Sequence, residues 1–149
     1  MTKQKIKTSV KVTKPKDSKP KVKKTAKKNS AKPVEQLINA IVQGIEEKKG
    51  NDIVTLNLTN TGNTVADYFI ICHANNKIQT EAIVKSVEEL VYKNTKETPY
   101  HIEGKQNAEW ILIDYFNVVV HVFTKEMREF YNLEYLWADA SSEKIASHK

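Results

Sequence analysis

EWILIDYFNVVVHVF, Glu109–Phe123, is the stretch on which the fold turns. Its apolar residues fall into two nearly continuous runs, Trp110–Ile113 and Val118–Phe123, with Asp114-Tyr115-Phe116-Asn117 between them. Short runs rich in Val, Ile and aromatic residues read as strands covered on both faces. The brief polar interruption reads as a tight antiparallel link. Because side chains alternate along a strand, Asp114 shares a face with Trp110 and Leu112, and His121 shares one with Val119 and Phe123. A carboxylate and an imidazole in apolar surroundings pose a choice between acid–base chemistry and scaffold. Spacing alone does not bring the two together, and a single His inside an apolar strand is more often a hydrogen-bonded structural residue than a base.

Upstream, Val34, Leu37, Ile38, Ile41, Val42 and Ile45 recur at helical spacing between Pro33 and a stop at Gly50, which predicts one amphipathic helix. Ile53–Leu58 then alternates, with Val54, Leu56 and Leu58 on one face, and Gly62 sits in a turn over Asn60–Thr64. In ADYFIICHA, Tyr68, Ile70 and Cys72 point one way and Phe69 and Ile71 the other, as in a central strand. Asn75 and Asn76 supply caps for a second helix with Ile83, Val84, Val87, Leu90 and Val91 as its buried stripe. After Pro99 a short strand is expected over Tyr100–Glu103. Downstream, Met127, Phe130, Tyr131 and Leu133 predict a short terminal helix, with Leu136 and Trp137 packing beyond it. The order predicts an α/β fold: a mixed sheet of about five strands flanked by helices, spanning residues 34–140, with 141–149 as a tail.

Residues 1–33 differ in kind. They hold 13 Lys and one Asp, a charge of +12, so the remainder of a chain of net charge +6 carries −6. With three Pro and no aromatic residue, this arm cannot bury enough apolar surface to offset its ordering entropy and is expected to be disordered. Its lysines suit phosphate contacts without base stacking, hence non-specific nucleic-acid binding. A secretory signal and a membrane span are not expected, and an arm whose basic residues are all Lys does not match an Arg-rich transit peptide. Cys72 alone cannot form an intrachain disulfide or a cysteine zinc site, and it falls in a core strand. His73, His101, His121 and His148 are scattered, the four glycines form no phosphate loop, and no nucleophile elbow occurs. Neither a metal nor another cofactor is expected.

Four motifs taken together resemble one family. ADYFIIC (66–72), HIEG (101–104), AEWILIDYFNVVVHVF (108–123) and REFYNLEYLW (128–137) are similar, in order and separation, to the ribosomal silencing factor family, also called Iojap, of bacteria and organelles. The resemblance spans about residues 34–140. It implies an α/β unit similar to nucleotidyltransferases but without catalysis. It also implies a partner, ribosomal protein fourteen of the large subunit (uL14), whose occupation blocks joining with the small subunit and represses translation under nutrient limitation in the cytoplasm. By position, Trp110 becomes the aromatic anchor, with Tyr68, Glu103 and Asp114 as polar contacts. An acidic body suits a basic ribosomal protein, since complementary potential speeds and orients docking. The arm lies outside the resemblance and is expected to reach ribosomal RNA. The oligomeric state stays open, a homodimer of the free protein included.

The resemblance leaves two other readings to weigh. A nucleotidyltransferase-like enzyme would need paired metal-binding carboxylates, yet Asp67 is followed by Tyr68 and Phe69, without the D-x-D spacing. A general nucleic-acid binder would act through the arm alone. The chain also departs from the family at Phe116-Asn117, where many members carry Gly-Asp, and at the loop HANNKIQ.

Overall fold

The computed structural model describes residues 31–61, 66–138 and 140–145. The expected arm, as far as residue 30, and most of the turn around Gly62 lie outside them. Helix α1 (Ala31–Glu47) leads to β1 (Asn51–Asn57), β2 (Tyr68–Ala74) and helix α2 (Lys77–Thr95). Then come β3 (His101–Glu103), β4 (Trp110–Asp114), β5 (Val118–Thr124), helices α3 (Lys125–Tyr131) and α4 (Leu133–Leu136), and β6 (Ser141–Lys144). The strands form one mixed sheet in the order β3-β4-β5-β2-β1-β6, in which β2 and β5 run parallel and every other pair antiparallel.

Two expectations need correction. The sheet has six strands rather than about five, because Ser141–Lys144, taken from sequence as tail, pairs along β1. All four of its residues are exposed, so no apolar alternation announces it. The single terminal helix is two, because Asn132 adopts a left-handed conformation (φ 47°) and turns the chain. Leu136, expected to pack beyond the helix, is 66% exposed, and Phe130 is 74% exposed.

Helices α1 and α2 pack on each other across one face of the sheet. Gly44 permits that approach, since a Cβ there would stand 2.7 Å from Val87 Cα, and the Ser86 hydroxyl donates to Gly44 O at 2.8 Å beside it. Asn76 caps α2 by accepting from Gln79 N at 2.8 Å, while the Gln79 amide donates to the carbonyls of Lys48 and Lys49 and ties α2 to the end of α1. Under the helices lie Leu37, Ile41, Ile45, Ile70, Ile83, Val87, Ile111, Ile113, Val120 and Val122. The opposite face buries Val54, Leu56, Phe69, Ile71, Val119 and Phe123, and α3 and α4 give it only partial cover.

Arg128 holds that cover in place. Buried at 8% exposure, it donates to both carboxylate oxygens of Glu134, at 2.6 and 3.5 Å, to Asn51 O at 3.3 Å and toward His73 Nδ1 at 3.0 Å. One guanidinium thus joins α3, α4, the start of β1 and the end of β2, using the fixed fork that Lys lacks.

The link between β4 and β5 is strained. Asn117 N donates to Tyr115 O at 3.0 Å across Phe116, whose φ is +78°, while Tyr115 N donates to Val118 O at 2.9 Å. A three-residue turn of this hand is rare outside glycine. Asp114 Oδ1 helps hold it by accepting from Phe116 N at 2.7 Å. Relief of strain should outweigh the extra freedom glycine gives the unfolded chain, so Phe116→Gly should raise stability by about 1 kcal/mol. Thermal unfolding checks this, and an unchanged or lower midpoint would mean that the turn stores no strain.

Candidate partner-binding face

Strand parity sends Ile111 and Ile113 under the helices and turns Trp110, Leu112 and Asp114 to the opposite face. Across the β4–β5 pair Trp110 stands opposite Phe123, Leu112 opposite His121 and Asp114 opposite Val119. Asp114 and His121 therefore share a face as diagonal neighbours, and each takes a different partner.

His121 belongs to the scaffold. The Trp110 Nε1–H donates to His121 Nδ1 at 3.1 Å, which places the imidazole proton on Nε2. Nε2 is buried with no hydrogen-bond partner among the described residues, and the Phe69 ring meets the imidazole edge-on at 4.6 Å. Burial pushes the His121 pKa down to about 3, so the ring is neutral at physiological pH. Its neutral form adds stability that is complete above the unfolded value near 6.5 and is lost as pH falls from there toward 3. Each pH unit in that window costs about 1.4 kcal/mol, so roughly 2 kcal/mol is lost by pH 5. His73, whose pKa burial and then Arg128 also depress, adds loss of the same sign. His121→Asn, which keeps an acceptor for the indole, should flatten the dependence of the melting temperature on pH between 6.5 and 5. An equally steep dependence in the variant would contradict a neutral buried His121.

Trp110 connects this core to solvent. Its ring stacks on Phe123 at 5.1 Å and meets Tyr131 at 4.6 Å, and Tyr131 in turn meets Phe130 at 5.1 Å. Exposure rises along the series from fully buried Phe123 through half-buried Trp110 to Tyr131, 42% exposed, and Phe130 at the surface. The indole N–H is committed inward, so Trp110 offers a partner only its ring.

At the other end of β4 the face is acidic. Asp114 Oδ2 lies 3.7 Å from His101 Nδ1, and His101 Nε2 lies 3.1 Å from Glu103 Oε2. Burial raises the Asp114 pKa, against the lowering effects of the Phe116 amide and of His101. A carboxylate held where its charged form is disfavoured costs stability at neutral pH. Tyr100 and Phe116, 71% and 58% exposed with ring centroids 6.1 Å apart, border this end.

Of the four residues singled out from sequence, Trp110, Glu103 and Asp114 lie together on this face. Tyr68 does not join them, because it packs with Ile70 and Cys72 on the helix side of the sheet. Sequence reasoning missed Phe130, Tyr131 and His101. Phe130 and Tyr131 carried a usable signal, since adjacent helical residues point about 100° apart and cannot both face one core. Cys72 is fully buried, which pushes its thiol up to about 12. Among the described residues no three His, Cys, Asp or Glu side chains are grouped to hold a metal ion, and no helix is long and apolar enough to cross a membrane.

Fold and face define a mixed α/β protein with an aromatic and acidic surface on the thinly covered side of its sheet. Residues 30–149 match the sequence model of the family described as ribosomal silencing factor during starvation. Over 111 residues, 74% of this chain and 93% of the relative, it is 37% identical to ribosomal silencing factor RsfS of Halalkalibacterium halodurans. It is 41% identical over 95 residues to RsfS of Bacillus subtilis, covering 64% of this chain and 79% of that one. A crystal structure of a Chromobacterium violaceum protein superposes with a TM-score of 0.65 at 28% identity, covering 70% of this chain and 86% of the other. The chain belongs to the ribosomal silencing factor family.

Proposed function

We propose that this protein silences ribosomes without catalysis, in a bacterial cytoplasm, by seating the face around Trp110 on uL14 of the large subunit and so blocking the small subunit. Family membership supports the ribosomal target, and the description of the family ties the activity to starvation. The observation that carries the choice of face is the run of aromatics that leaves the core at Phe123 and ends at Phe130 in solvent. Six of the eight exposed large hydrophobic side chains among the described residues lie beside β3, at the hairpin tip or on α3 and α4: Tyr100, Phe116, Phe130, Tyr131, Tyr135 and Leu136. Such clustering marks interaction surfaces, and aromatic residues dominate their energetics. Asp114 and Glu103 beside them favour a basic partner and orient it. The Lys-rich arm adds salt-sensitive contacts to ribosomal RNA.

Phe130→Ala separates binding from folding, because the side chain is 74% exposed. The melting temperature should hold, while affinity for isolated large subunits in co-sedimentation should fall at least tenfold, about 1.4 kcal/mol. Asp114→Asn keeps the acceptor for Phe116 N and removes a disfavoured charge. It should leave stability equal or higher yet weaken binding, most at low salt. Unimpaired binding and unimpaired blocking of subunit joining in both variants would contradict this choice of face.

A further inference from the structure

The two long helices do not reach the β1–β6 end of the sheet, and the helix side is left there as an open groove of about 780 Å³. One flank of α1 forms its wall, and β6 faces that wall across it. Ile38, Val42, Tyr68 and Ile145, all only partly buried, give it an apolar lining, with Glu35 on the α1 side and Glu143 on the β6 side. No Lys or Arg lines it. Neither Glu35 nor Glu143 forms an ion pair among the described residues.

The groove thus suits a cationic chain with small apolar side chains, and one is covalently attached to its wall. Residues 1–30 contain twelve Lys and one Asp and enter the structure at Ala31, the first residue of α1. Within them, KPKVKK (Lys19–Lys24) sets Val22 between lysines, so that an extended backbone would turn Val22 to one side and Lys21 and Lys23 to the other. The six residues from Lys24 to Ala31 still to be crossed span up to roughly 20 Å when extended, enough to reverse direction at the start of α1.

We infer that the Lys19–Lys24 segment of the arm folds back into this groove, Val22 on the lining of Ile38, Val42, Tyr68 and Ile145 and the neighbouring lysines beside Glu35 and Glu143. Tethering sets an effective concentration of about millimolar, so a contact too weak to survive between separate molecules is populated within one. The groove lies on the face opposite Trp110, and the docked arm leaves the aromatic surface open. A polyanion displaces the arm, since each lysine that meets a phosphate releases counterions. The acidic groove therefore acts as an internal competitor that discourages the arm from binding nucleic acid indiscriminately. The contact itself does not depend on the ribosomal reading above.

The test uses the full chain with Lys21→Cys carrying a nitroxide label, which the fully buried Cys72 does not take up. The expected result at low salt is paramagnetic broadening of the methyl signals of Ile38, Val42 and Ile145. That broadening should disappear in 0.5 M salt and in the Glu35→Lys, Glu143→Lys double variant. It should also disappear when a single-stranded RNA oligonucleotide is added. Three results would overturn the inference: no broadening of groove methyls, broadening centred on another face, or broadening that appears only between separately labelled molecules in a mixed sample, which would make the occupant a second copy's arm. The double variant's unbroadened spectrum reports whether it is folded, so loss of the effect through unfolding is distinguishable.

Discussion

The hydrogen bond from Trp110 to His121 is the constraint on which the proposed binding surface depends. It spans the β4–β5 pair, fixes the imidazole in one tautomer and turns the polar edge of the indole away from solvent. What Trp110 can then present to a partner is an apolar ring backed by Phe123, and Tyr131 extends that ring to the surface. A surface aromatic held this way has lost its rotamer freedom before any partner arrives, which lowers the entropic cost of binding. The same geometry leaves His121 no acid–base role. The imidazole is neutral and enclosed, and Asp114 spends one oxygen on the turn that follows it.

The two sides of the sheet divide the labour. On one side the close crossing at Gly44 and Ser86 locks α1 to α2 and seals most of the core. On the other, two short helices pinned by Arg128 leave β4 and β3 reachable. The proposed binding side also carries two residues that cost stability. Phe116 in a left-handed turn and Asp114 in a poorly solvated position are both there.

Most of the architecture was legible in the sequence because period and punctuation agree. The 3.6-residue stripes of α1 and α2, the Asn76 cap and the two-sided apolar runs of β2 and β5 each lead to one answer. β6 was not legible, since a fully exposed edge strand gains no apolar partner and takes its pairing from backbone alone. The face of Trp110 was legible strand by strand, but parity within a strand does not say which side of β2 meets which side of β4. Only the parallel pairing of β2 with β5 settles that, and it puts Tyr68 on the side opposite Trp110. Phe130 and Tyr131, as adjacent helical residues, could not both face one core, but no periodicity signals the left-handed turn at Asn132 that ends α3 after them.

Hydroxyl-radical footprinting of the chain, free and bound to large ribosomal subunits, tests the central claim most directly. Modification of Phe130, Tyr131 and Trp110 should fall on binding, while Tyr92, 53% exposed on the outer side of α2, should react as in the free chain. Protection of Tyr92 with Phe130 and Tyr131 still reactive would contradict the account, because the helical side would then be the one that meets the ribosome.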